Sequence, residues 1–207
     1  MMKRLAMFFV CVSAGFAGYS DGFITAGQYE YSVRWSTSNF PLVVDGGGAD
    51  RISVRENGVL IVKSTSTPLL PPWDDYPSGI YDIVAYDNSQ LFFLGGVTEL
   101  ITMRGNATAE LRGGSINLIK SMQFTTKTNS DPRIDLYCQP GWSWLYANEK
   151  ITGITGVWND GSGFSIEFID DATYDPVWTN INVIIPEPLT LLFLAAGGVL
   201  LPKRQRR

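Results

Sequence analysis

The chain contains no histidine, and this shapes the chemistry open to it. A Ser-His-Asp or Cys-His nucleophile cannot be assembled, no imidazole can act as general base, and His-ligated metal sites are excluded. Two carboxylate pairs remain, Asp74-Asp75 and Asp170-Asp171, with Asp175 close to the second. Carboxylates facing each other across a cleft hydrolyse glycosides, but neighbouring aspartates in turn sequence far more often cap or face solvent. Asp45-Gly46-Gly47-Gly48-Ala49-Asp50 has the composition of a calcium-binding turn, yet it occurs once and lacks the spacing of the calcium nonapeptide. There is no phosphate loop and no dinucleotide fingerprint. The sequence therefore predicts a protein that is not an enzyme, with no catalytic, cofactor-binding or metal-ligating residues and no cofactor.

Aromatic side chains carry the remaining hint of binding. Trp73 and Tyr76 stand in a Pro-rich stretch, and Trp142, Trp144 and Tyr146 alternate along one face of a predicted strand. Rings exposed in a row stack on sugar faces, which makes these three the candidate glycan contacts. The competing reading is that they fill or cap the core, since aromatics carry much of a protein's buried area.

These residues must be positioned by short strands. Between Gly18 and Ile185 the chain is of single-domain size, and it alternates in runs such as Ile52-Ser53-Val54-Arg55 and Phe164-Ser165-Ile166-Glu167-Phe168, separated by turn residues. A weak repeat is present. Residues 83–96 align with 101–114 at an offset of about 18, and residues 52–62 align upstream at about 31, with 65–77 as a Pro-rich insertion. Each copy reads as one rung of a β-solenoid. Asn57, Asn88 and Asn106 are expected to take left-handed φ at tight turns, and Gly95-Gly96 and Gly113-Gly114 to turn the next corner. Leu91, Phe93, Ala109 and Leu111 are expected to point inward, and Gln90, Thr108 and Glu110 outward.

From Leu136 to Val183 the pattern changes, with a predicted hairpin turning at Asn159-Asp160-Gly161. Cys138, the one cysteine of the body, reads as a small buried apolar residue. The predicted architecture is all-β, a short β-solenoid over 18–135 with a C-terminal β capping unit over 136–185. The alternative is an antiparallel β-sandwich, which the same alternation permits. Arg51, Arg55, Lys63, Arg104 and Arg112 look scattered, which argues against a polysaccharide-degrading groove.

Both ends read as addresses. Lys3-Arg4, the apolar run Leu5–Val12 and the small residues Gly15 and Ala17 form a signal peptide over 1–17, with cleavage after Ala17. Val10 stands where a lipoprotein signal before Cys11 would need a small residue. At the other end, Pro186-Glu187-Pro188 precedes an apolar run from Leu189 to Leu201 and the basic residues Lys203, Arg204, Arg206 and Arg207. As a helix this run covers roughly 20 Å, against a bilayer core of roughly 30 Å. It suits transient retention better than a lasting span, an uncleaved anchor being the other reading. Removing both ends takes away six of the 16 basic residues and one of the 20 acidic ones, so the net charge moves from −4 to about −9. An acidic chain of this kind is a poor ligand for nucleic acid.

The tail, in its three parts and their order, resembles the PEP-CTERM sorting signal of bacteria. The wider order of repeats, a Gly-x-Trp-x-Asp-Gly-Ser segment at 156–162 and Pro-Glu-Pro resembles the short repeat-bearing PEP-CTERM proteins of planctomycete type. The resemblance implies recognition by an exosortase, with residues 186–207 as the sorting and anchor segment. It further implies transient anchoring in the inner membrane and delivery to the cell surface or extracellular matrix, where exopolysaccharide and biofilm are the setting. The expected role is structural or adhesive, with a carbohydrate-binding module as the alternative and a β-helix polysaccharide-degrading enzyme further behind.

Overall fold

Strict alternation of apolar and polar residues makes a half-buried strand, and the body of the chain consists of little else. The computed structural model describes residues 22–65, 79–122 and 131–186. Its strands are β1 (Phe23–Thr25), β2 (Tyr29–Trp35), β3 (Leu42–Val54), β4 (Val59–Thr65), β5 (Ile80–Ala85), β6 (Gln90–Phe93) and β7 (Val97–Arg104). They continue as β8 (Thr108–Leu111), β9 (Ser115–Met122), β10 (Arg133–Tyr137), β11 (Ser143–Ala147), β12 (Lys150–Val157), β13 (Gly163–Ile169) and β14 (Ile181–Ile184). A single 3₁₀ turn at Val177–Asn180 precedes β14 among the described residues. The protein is all-β.

The strands join in one large mixed sheet with two parallel runs. In one run β1, β3, β4, β6, β8, β10 and β14 pair side by side. In the other, β2, β3, β5, β7, β9 and β13 do the same. Strand β3 belongs to both: residues 42–47 pair with β4, and residues 49–54 pair with β5. The later strands alternate, β4 in the first run, β5 in the second, β6 in the first. Antiparallel pairing among the described strands is confined to β11–β12–β13. An antiparallel β-sandwich needs neighbours that run in opposite directions, so that alternative is set aside.

The register aligns the residues that the repeat aligns. Ile83 pairs with Ile101, 18 residues on, and Ile52 pairs with Ile83, 31 residues on. Val33, Ile52, Ile83, Ile101 and Ile119 thus form one buried column. Across the core from it, Val44, Val62, Phe93, Leu111 and Leu136 form another. Burying each such side chain is worth roughly 1.5–3 kcal/mol. Leu91, Phe93, Ala109 and Leu111 are buried as expected, while Gln90 is exposed and Thr108 and Glu110 are half-buried.

The corners are made by backbone packed on backbone. Gly96 and Gly114 have φ of 91° and 82°, and a Cβ on Gly114 would stand 2.5 Å from the Gly96 carbonyl oxygen. At the opposite corner the structure corrects the expected turn. Left-handed φ falls on Glu56, Asp87 and Gly105, one residue before Asn57, Asn88 and Asn106. The turns close from Gly58 N–H to Arg55 C=O and from Ser89 N–H to Tyr86 C=O, which puts the positive φ at the first central position. The asparagines stack between passes instead, Asn106 Nδ2 donating to Asn88 Oδ1 at 3.5 Å.

Strands β11–β13 form an antiparallel segment that joins the sheet where β13 pairs parallel to β9. The β12–β13 turn falls at residues 159–161 as predicted, with Asp160 Oδ1 accepting from Ser162 N–H at 2.8 Å. Trp158 is fully buried, its Nε1 donates to the Gly114 carbonyl at 2.9 Å, and its ring lies 4.2 Å from that of Phe164. Cys138 bridges to Trp158 through the backbone and is itself buried.

Gly15, Ala17, Glu187, Pro188, Lys203, Arg204, Arg206 and Arg207 lie outside the described residues, as do Trp73, Tyr76 and Asp74-Asp75 in the Pro-rich segment. Among the described residues no helix is long and apolar enough to cross a membrane.

Two outcomes follow from this packing. Gly114→Ala should cost about 2–4 kcal/mol in urea unfolding. Gly141→Ala also has positive φ, 100°, but meets open space, and should cost only about 1 kcal/mol. Equal losses would show that the corner contact does not matter. Burial pushes the Cys138 thiol up, so a thiol reagent at neutral pH should label it only as the protein unfolds; rapid labelling of the native chain would contradict the buried placement.

Candidate functional site

The run β2–β3–β5–β7–β9 turns one face to the core and the other outward. Along each of β3, β5, β7 and β9, two consecutive residues face out where the strand bends: Asp50-Arg51, Tyr81-Asp82, Glu99-Leu100 and Asn117-Leu118. Ladder pairing skips the first of each pair and resumes at the second. Tyr31 takes the corresponding place in β2, between the paired residues Glu30 and Ser32. The result is a ridge of Tyr31, Asp50, Tyr81, Glu99 and Asn117. Further along the strands come the column Arg34, Ser53, Val84, Thr102, Lys120, whose three central residues are buried, and then Arg55, Tyr86, Arg104. From Arg51 to Arg55 the face is about 13 Å wide at about 3.3 Å per residue.

A cleft of about 230 Å³ opens at the ridge, lined by Tyr31, Ser32, Asp50, Arg51 and Tyr81. Tyr31 is 80% exposed and Tyr81 40%. Beneath them the polar groups are held. The Tyr29 hydroxyl donates to Asp50 Oδ1, and Arg51 Nε donates to Asp82 Oδ2 at 2.8 Å. Burial pushes the Asp82 carboxyl above its ordinary value, while the Arg51 hydrogen bond and charge, and the charge of Arg104, pull it back. Its Oδ1 is buried without a protein hydrogen-bond partner. At the far margin the guanidinium carbons of Arg55 and Arg104 lie 4.5 Å and 5.2 Å from the Tyr86 ring centre, contacts worth roughly 0.5–2 kcal/mol each. Along the ridge Asn117 Nδ2 donates to Glu99 Oε1 at 2.7 Å.

The basic residues that look scattered in sequence are sorted by the fold. Arg51, Arg55 and Arg104 share this face with Arg34 and Lys120. Lys63 and Arg112 belong to the other run, where Lys63 lies 3.7 Å from Asp45 and Arg112 2.7 Å from Glu110. Tyr31, Tyr81 and Tyr86 had no role in the sequence reading. The signal was there: Asp50 and Tyr81, like Arg55 and Tyr86, are spaced as Ile52 and Ile83 are.

The predicted aromatic row is partly buried and partly exposed. Trp142 and Trp144 are half-buried against the core, edge to face with ring centres 5.1 Å apart, and Trp144 meets Phe168 at 6.2 Å. Tyr146 is 64% exposed, beyond a bulge at Leu145/Tyr146. Trp144 and Tyr146 lie in β11, and Trp142 comes just before it. The carboxylate pair at 170–171 serves local turns: Asp170 Oδ1 accepts from Val177 N–H and Asp171 Oδ1 from Thr173 N–H. The Asp45–Asp50 segment lies within β3, where Asp45 accepts from Ser64. Among the described residues no three His, Cys, Asp or Glu side chains are grouped to hold a metal.

The molecule is thus an all-β protein of stacked parallel strands with a tyrosine- and arginine-lined outer face. Comparison with known protein families, with curated proteins and with solved structures finds no match.

Asp82 offers a test of the face through pH. Because its folded value is raised, the native state holds the proton where the unfolded chain, near 3.8, has released it. Its contribution to stability is therefore fully present below that value and is lost as pH rises through the raised one. Between about pH 3 and pH 7 the stability of wild type relative to Asp82→Asn should fall. Parallel curves in urea unfolding would show that Asp82 titrates normally.

Proposed function

We propose that the body is a short two-sided β-solenoid with a C-terminal cap. In this reading the chain is an exported cell-surface or extracellular-matrix protein with a structural or adhesive role, and it is not an enzyme. The observation that carries the reading is the parallel, in-register ladder with like residues stacked at offsets of 18 and 31. Such a stack is a stiff rod-like support on which each pass adds one row to an outer face. Several charged groups of that face are committed to one another or to rings, as in Arg51 with Asp82 and Arg55 with Tyr86, which suits display better than catalysis.

The sorting part of the proposal rests on the tail. An exosortase would process the chain at Pro186-Glu187-Pro188 after transient anchoring by the apolar segment, with exopolysaccharide as the surrounding matrix. In support, β14 ends at Ile184, and Ile185 and Pro186 are exposed, so a protease can approach the start of the motif. The test places one epitope tag after Arg207 and another in the exposed turn at Gly161, in the native host. The mature surface protein should keep the internal tag and lose the terminal one. Retention of both tags at the surface means a permanent anchor and overturns processing.

A further inference from the structure

We propose that the cleft between Tyr31 and Tyr81 binds one neutral pyranose ring of a glycan chain, seated over Asp50. The two tyrosines stand one strand to either side of Asp50, because Tyr31, Asp50 and Tyr81 occupy the step that the ladder skips between matched pairs in β2, β3 and β5. Parallel neighbours lie about 4.8 Å apart, so the backbone sets the two positions about 9.6 Å apart. Two van der Waals contacts of roughly 3.5–4 Å, one on each face of a puckered saturated ring, fill such a span. Pyranoses have apolar C–H faces and a rim of hydroxyls. Tyrosine offers an apolar body with a polar tip, and a carboxylate accepts from two adjacent hydroxyls as a charge-assisted pair.

The groups are held before any ligand arrives. Tyr29 engages Asp50 through Oδ1 rather than Oδ2. Its own ring lies where a Cβ on Gly48 would come within 3.1 Å, so the glycine makes room for that arrangement. Asp82 fixes Arg51 from the other side. Positioning by strands instead of loops is what a specific site needs.

Charge selects against acidic sugars. Asp50 lines the cleft, and the Arg51 charge is already matched by Asp82, so a uronate would bring a negative charge that the site does not balance. Size selects one ring. The cleft of about 230 Å³ is smaller than the roughly 300–1,000 Å³ of pockets that enclose drug-sized ligands, and the exposed ridge lets the rest of the glycan run past. The inference does not rest on the sorting reading, since it uses only residues of β2, β3 and β5.

The test is saturation-transfer NMR on the full chain with neutral hexasaccharides of the glucose, mannose and galactose series, and with oligogalacturonate as the charged control. At least one neutral series should bind, and binding should weaken fivefold or more in Tyr31→Ala, Tyr81→Ala and Asp50→Asn but not in Trp142→Ala. Circular dichroism checks that each variant is folded. Tyr31 is so exposed that its variant carries the test if Tyr81→Ala does not fold. Failure of every neutral series, binding of oligogalacturonate only, or binding that survives Tyr31→Ala would overturn the proposal. None of these outcomes touches the tag experiment, so the two proposals fail separately.

Discussion

The described body depends on the parallel hydrogen-bond ladder between neighbouring strands. Each strand must offer its N–H and C=O groups to a neighbour about 4.8 Å away, and an unpaired buried backbone group costs about as much as a lost hydrogen bond. The strands therefore stay in register, and whatever occupies a position in one strand lies against its counterpart in the neighbour. Inside, this stacks Val33, Ile52, Ile83, Ile101 and Ile119. At the corner it brings the Gly96 carbonyl so close to Gly114 that a side chain has no room. Outside, the same spacing sets Arg55, Tyr86 and Arg104 in a stack of alternating cation and ring.

A parallel run of this kind ends in open edges and an uncovered core unless something closes it. Here the chain reverses direction. Strands β11–β13 form an antiparallel meander, β13 then pairs parallel to β9, and β14 returns to pair with β10. Trp158 joins this segment to the stacked strands through its bond to the Gly114 carbonyl. The Trp142–Trp144 pair packs partly buried against the core, while Tyr31 and Tyr81 of the ridge are exposed.

The outer face is charged, and several of its charges are engaged. Arg51 is paired with Asp82, a carboxyl that burial holds above its ordinary value even with that partner. Arg55 and Arg104 lie over one tyrosine.

Local pattern was enough for part of this. Alternation separated inward Leu91, Phe93, Ala109 and Leu111 from outward Gln90, and an 18-residue offset paired Ile83 with Ile101, because in-out orientation repeats every two residues and register repeats with the turn spacing. The turn at 159–161 and the capping role of Asp170 and Asp171 were legible for the same reason, each depending on residues a few places apart. Tertiary structure decided the rest. That the left-handed residue is Glu56 or Asp87 and not the following asparagine depends on where the turn closes. That Trp144 meets Phe168, and that Tyr31, Asp50 and Tyr81 form one ridge, depends on which strands become lateral neighbours across insertions of unequal length. Side-chain alternation is written into a single strand, but lateral neighbours are set by hydrogen bonds between strands, and those exist only once the chain has folded.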